Sequence, residues 1–206
     1  MGHAGLKRGR GWPKSPSVRD RSPTDMLQGE ALGHWLALGL DGAADRLSLR
    51  LGGRVKIGLE PPQAGPLGGS CGWAQDFEGS VRGHAALTFD PQVWGRWLEA
   101  LVRGSWGGVE PSREVGEEAA NVVLNGVLTG LSRAMGLRLR SGLPGPPEPK
   151  RDDLTVVCQR QLAFRWPDET VRGGLVLFVR NEDRTSFGQA LRRSLPAFME
   201  SLAWST

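Results

Sequence analysis

Between Ser112 and Gly126 the sequence reads SREVGEEAANVVLNG, placing two carboxylates and two carboxamides, Glu114, Glu118, Asn121 and Asn125, at spacings of four, three and four residues. At about 100° per residue these four side chains share one side of a helix, within roughly 60° of one another. An amide carries donor and acceptor on one rigid plane, and a carboxylate only accepts, so the ridge is equipped to hold polar groups in place. A face turned to water is the ordinary reading of such a ridge, and its composition argues against that reading. Solvated helix faces are built from Lys, Arg, Glu or Gln, whereas Asn competes with the backbone for hydrogen bonds and costs the helix.

The ridge needs a helix beneath it. Val115, Ala119, Val122, Val123 and Gly126 recur at helical spacing as a core stripe, with Gly126 allowing close packing. Leu124, Leu128, Leu131 and Met135 add a second apolar face toward the C-terminal end, and Ser112 is a suitable N-cap, so a helix is predicted over 112–136. A strand in LRLRSGLP follows, then a strand pair in LTVVCQRQLAFRW and VRGGLVLFVR, then a helix from about residue 184.

The same order is written once before. A helix over about 26–51 precedes a strand in RVKIGLEPP, the pair SCGWAQDFEG and VRGHAALTFD, and a helix in PQVWGRWLEALVRG. A shift of 84 positions superimposes Leu47-Ser48 on Leu131-Ser132, which an internal repeat explains most simply. The expected fold is therefore α+β, one domain over 25–206 with repeats at about 25–108 and 109–206. A pseudo-two-fold axis would relate them, with the antiparallel strands in one sheet and the helices packed outside. The Pro/Gly-rich stretches at 61–69 and 144–149 become equivalent loops. In the first repeat the matching ridge is Glu30, His34, Ala37 and Asp41, where a methyl group replaces the central amide.

Composition narrows the classes. Of the net charge of +4, residues 1–24 carry +5 through Lys7, Arg8, Arg10, Lys14, Arg19 and Arg21 against Asp20, which leaves the rest at −1. That arm has no apolar periodicity and is expected to be disordered, and it accounts for the basic balance. No apolar run of about 18 residues is present, and no apolar leader, so membrane insertion is not expected and a cytoplasmic location is. Cys71 and Cys158 are too few and too far apart for a metal knuckle or disulfide framework and read as core thiols. His3, His34 and His84 are scattered, with His34 read as a neutral substitution on an exposed ridge, and no glycine-rich stretch has a P-loop lysine. Eight tryptophans, some beside Arg, raise nucleic-acid binding. Trp94 and Trp97 at i and i+3 read instead as a core stripe, and no nucleic-acid partner is expected.

At Glu118, Asn121 and Pro144 the sequence resembles the CheC/CheX/FliY family of chemotaxis phosphatases. The family signature is Asp or Ser, three residues, Glu, two residues, Asn, 22 residues and Pro, and these three residues meet its Glu, Asn and spacing. Glu114 stands where the family has Asp or Ser, and Asn125 stands where a Gly is usual, with Gly126 next. The likeness runs over about residues 25–204. The resemblance implies a CheC-like fold and hydrolysis of the phosphoaspartate of a CheY-like response regulator. Asn121 would position the attacking water, and Glu118 would pair with the receiver's lysine. Glu114 and Asn125 would assist docking. No cofactor of the chain's own is implied, since Mg²⁺ belongs to the receiver, and a CheD-like deamidase is a further partner the family suggests. With the first ridge lacking its Glu and Asn, one active ridge is expected. A non-catalytic binding or scaffold role in a chemotaxis or flagellar-switch complex is the alternative, because the family fold also serves assembly alone.

Overall fold

The computed structural model describes residues 23–51, 53–60, 71–103, 112–147 and 152–203. Along the chain these form α1 (Pro23–Leu51), β1 (Lys56–Glu60), β2 (Cys71–Gly79), β3 (Gly83–Phe89) and α2 (Pro91–Arg103). Then come α3 (Arg113–Met135), β4 (Leu139–Ser141), β5 (Leu154–Arg165), β6 (Thr170–Arg180), a 3-10 turn (Asn181–Asp183) and α4 (Arg184–Ala203). Every strand pairing is antiparallel, in one six-stranded sheet ordered β1-β5-β6-β3-β2-β4. Exchanging the two halves maps that order onto itself, so a pseudo-two-fold axis passes between β3 and β6 at the centre. This is the duplicated α+β architecture that the repeated pattern predicts.

Two boundaries differ from expectation. Helix α1 begins at Pro23, inside the span assigned to the arm. Strand β4 keeps only three residues of LRLRSGLP, because after Ser141 the chain meets Pro144, which has no N–H to give to a ladder. The rest of the arm, the 61–69 loop and the junction between the repeats lie outside the described residues.

The central strands are buried over most of their length, with all seven residues of β3 buried. One face of the sheet carries Trp73, Phe77, Leu87, Phe89, Phe164 and Leu177 into a core shared with the helices. Trp97 is wholly buried and Trp94 partly so, with Phe89 and Trp97 ring centroids 4.6 Å apart and Trp73 and Trp94 4.2 Å apart. The tryptophan pair is thus the core stripe that its spacing suggests. Cys158 is buried, and burial pushes its thiol up to about 11, while Cys71 is half-buried.

Helices α1 and α3 run antiparallel and cross where neither has a side chain. A Cβ on Gly39 would lie 3.0 Å from the carbonyl carbon of Gly126 and closer still to its oxygen. One on Gly126 would lie 2.7 Å from the Cβ of Ala43. The backbones approach as only glycine permits, fixing how α3 is presented. Helix α2 packs on α3 and α4 on α1, each terminal helix crossing to the other half.

Candidate functional site

The ridge rests on a helix pinned at both ends. The Ser112 hydroxyl accepts the Val115 N–H at 3.3 Å, and Gly136 closes the helix in the left-handed conformation at φ 64°. Ala119, Val122, Val123 and Gly126 are buried, with Val115 half-buried, and so are Leu124, Leu128, Leu131 and Met135. With both apolar faces engaged, the polar ridge is left between them: Glu114 and Glu118 are exposed, Asn121 and Asn125 half-buried. Glu114 sits in the first turn, where a carboxylate complements the positive end of the helix.

Two walls flank the ridge. On one side the last turn of α1 brings Arg50 into an ion pair with Glu118, both side chains more than half exposed. A solvated pair of this kind contributes at most about 1 kcal/mol, so another cation can displace the guanidinium. On the other side lies the segment after β4. Ser141 pairs with Phe77 of β2, the Gly142 N–H donates to the Asp76 carbonyl at 2.9 Å, and Ala74 and Gly145 exchange two backbone bonds of 2.8 Å. Between these anchors Leu143 stands 88% exposed, with Pro144 half-buried beside it.

The ridge amides form a chain that leads into the sheet. Asn125 donates through Nδ2 to Asn121 Oδ1 at 2.6 Å. The Oδ1 of Asn125 accepts from Ser141 Oγ at 2.5 Å and from Gln75 Nε2 at 3.2 Å. Gln75 is 1% exposed, and its Oε1 has no partner among the described residues. Among the described residues Asn121 Nδ2 has no hydrogen-bond partner.

The structure therefore sets Glu118, Asn121 and Asn125 along one helix face, with Pro144 three residues beyond Ser141, which bonds Asn125, and adds Arg50, Gln75 and Ser141, which sequence reasoning missed. Gln75 left a signal: it follows Trp73 and precedes Phe77 on the inward parity of β2, where a polar side chain needs a partner. Arg50 and Ser141 left none.

The first repeat's ridge has a different environment. Glu30 and Asp41 are exposed, but His34 is half-buried, which corrects its reading as an exposed surface residue. Its ring lies 5.4 Å from that of Phe198 and 4.8 Å from that of Trp35, and its Nε2 is 3.4 Å from Ser201 Oγ. The cause is α4, which at 20 residues against 13 for α2 reaches over His34 with its last two turns.

No three His, Cys, Asp or Glu side chains converge as metal ligands among the described residues, and no described helix is long and apolar enough to cross a membrane.

No known protein family's sequence profile matches the chain, and no curated protein matches it in sequence. Solved structures do. FliY from Thermotoga maritima is similar at 14% identity, covering 85% of this chain and 99% of its own, with a TM-score of 0.57. The FliM middle domain from H. pylori follows at 10% identity, 79% and 97% coverage and a TM-score of 0.54. FliM from a FliM–SpeE complex of H. pylori is similar at 9% identity, 81% and 95% coverage and a TM-score of 0.57. The pseudo-symmetric sheet with two crossed helices over it defines the class. Within that class the chain has the fold of the CheC/CheX/FliY family.

Proposed function

We propose that the protein hydrolyses the phosphoaspartate of a CheY-like receiver in chemotaxis signalling, acting in the cytoplasm from the single ridge on α3. The observation that carries this reading is the amide of Asn121, half-buried on a rigid helix, with Oδ1 engaged and Nδ2 left without a partner among the described residues. A receiver's acyl phosphate lies in a shallow site with its own Mg²⁺, which neutralises phosphoryl charge, so a partner needs mainly to place water in line. Asn121 holds that water, whose oxygen bonds to phosphorus as the bond to the aspartate oxygen breaks. The aspartate leaves as a carboxylate, and inorganic phosphate carries the remaining proton to solvent. Holding a nucleophile at the reacting centre removes much of the orientational cost of attack. A carboxylate at position 121 would repel the phosphoryl group.

Glu118 docks the receiver's lysine. For that it must exchange Arg50 for the incoming ammonium, an exchange between two solvated cations that costs little. Glu114 extends the acidic end of the surface, and Leu143 offers an apolar contact on its other wall. The test is the lifetime of a CheY-like receiver phosphorylated with acetyl phosphate and Mg²⁺. Addition of this protein should shorten it catalytically, and an unchanged lifetime despite receiver binding would reject the activity.

A second reading, assembly without catalysis, is favoured by the fold comparison, since one of the similar FliM structures is a complex with another protein. Under it the ridge would bind a flagellar-switch, receiver or CheD-like partner and leave any phosphoryl group intact.

A further inference from the structure

Resting on the phosphatase reading, we infer that Gln75, Ser141 and Asn125 are positioning residues that set which end of the Asn121 amide meets the substrate, turning its N–H₂ outward. Two donors, Ser141 Oγ at 2.5 Å and Gln75 Nε2 at 3.2 Å, converge on Asn125 Oδ1 and fill both of its lone pairs. With its oxygen committed inward, Asn125 points Nδ2 at Asn121, 2.6 Å away, and Asn121 must answer with Oδ1. Its Nδ2 is then left without a partner among the described residues, available to a substrate.

The opposite arrangement uses the same atoms with every amide reversed: Asn121 donates to Asn125, and Asn125 donates to Gln75 Oε1. The balance of buried groups decides between them. As observed, the orphan at Gln75 is the carbonyl Oε1, on a side chain 1% exposed. Reversal would satisfy that oxygen and leave both N–H bonds of Gln75 Nε2 unpaired, where the observed arrangement pairs one of them. Orphaned buried N–H groups of the backbone are rarer than under-satisfied backbone carbonyls, and a side-chain amide carries the same donor and acceptor types. Reversal also turns the Ser141 hydroxyl from donor to acceptor, sending its proton elsewhere. The observed direction is therefore favoured, and it begins at a residue in the sheet interior 50 positions from Asn125, the amide it bonds.

The consequence is chemical. Asn121 meets the reaction as a hydrogen-bond donor to one lone pair of the water oxygen, leaving the other for phosphorus, and not as an acceptor of the water's proton. Asn125, where the family usually has Gly, becomes the lever that fixes this choice, and Ser141, on the strand that leads to Pro144, ties it to the far wall of the site.

Two experiments test the inference separately. In ¹⁵N-labelled protein, side-chain amide exchange should show the Asn121 N–H₂ open to solvent and one Asn125 N–H protected. A protected Asn121 N–H would overturn the inference whatever the activity. In turnover of the acetyl-phosphate-labelled receiver, Gln75→Leu/Ser141→Ala removes both donors without adding charge, and apolar replacement of a buried amide keeps the fold. It should lower kcat about five- to tenfold with KM unchanged. Gln75→Leu/Ser141→Thr, which keeps one hydroxyl, should recover most of the loss. Ser141→Ala alone, at an exposed position, should lower kcat two- to threefold. An unchanged kcat in both alanine variants, against an active wild type, would also overturn the inference. A wild type without turnover would instead sink the phosphatase reading, and the amide exchange would then judge the orientation alone.

Discussion

Gly39 and Gly42 lie one turn apart on α1, and the same substitution should act on them with opposite sign. At Gly39 a methyl group would stand 3.0 Å from the Gly126 carbonyl carbon, closer to its oxygen, and 3.3 Å from Gly130 Cα. All three are backbone atoms of a helix held by its own hydrogen bonds, so no side chain can rotate away. The crossing has to open by about 1 Å, which strips contacts from a close-packed interface. Overpacking of this kind costs about 1–3 kcal/mol, and a backbone obstacle puts Gly39→Ala at the upper end. Helix propensity returns about 1 kcal/mol, leaving a net loss of about 2 kcal/mol. At Gly42 nothing lies within 4 Å of the new methyl, so Gly42→Ala keeps the propensity gain of about 0.5–1 kcal/mol. Because both changes restrict the unfolded chain alike, their difference reports the crossing. For a domain of this size the expected shifts in Tm are about −4 to −8 °C for Gly39→Ala and about +1 to +4 °C for Gly42→Ala. Thermal unfolding followed by circular dichroism at matched pH measures both. Equal shifts, or a Gly39→Ala protein as stable as the wild type, would refute the glycine crossing as what sets α3 in place.

Other outcomes follow from the ion pairs. Glu60 of β1 accepts from Arg172 Nε at 2.8 Å and Arg165 Nη2 at 3.0 Å, and the Arg172 hydrogen bond, helped by both guanidinium charges, holds its carboxyl below the usual range. A depressed folded value means stability that is present above the unfolded pKa and lost as pH falls through the folded one. Urea unfolding should show Glu60→Gln destabilised at pH 7 by about 1 kcal/mol or less, with the difference fading below about pH 4. Arg50→Ala should change stability by less than about 1 kcal/mol, since the pair it breaks is solvated. By freeing Glu118 for the receiver's lysine, it should lower KM for the phosphorylated receiver about two- to fivefold in steady-state phosphate release. A raised KM would show that Arg50 contributes to docking.

What was legible in the sequence is what period and repetition encode. The apolar stripes on α3, the inward parity of the strands and the doubled order of elements fixed the sheet, because each is a local pattern with a required geometry. The angular grouping of Glu114, Glu118, Asn121 and Asn125 follows from the helix alone. Their partners do not. Arg50 reaches Glu118 only because two glycines let α1 and α3 approach, and Ser141 reaches Asn125 only because a strand too short to continue is held along β2. His34 shows the same limit. Its position on the ridge was readable, but its cover of Phe198 and Ser201 comes from a helix about 165 residues away in sequence.

The most direct measurement of the central claim is phosphate release from a phosphorylated CheY-like receiver in the presence of wild type and of Asn121→Ala, with receiver binding measured alongside. The account predicts that the wild type accelerates release, while Asn121→Ala binds with the same Kd and turns over at least about tenfold more slowly. Turnover by Asn121→Ala equal to that of the wild type would contradict it.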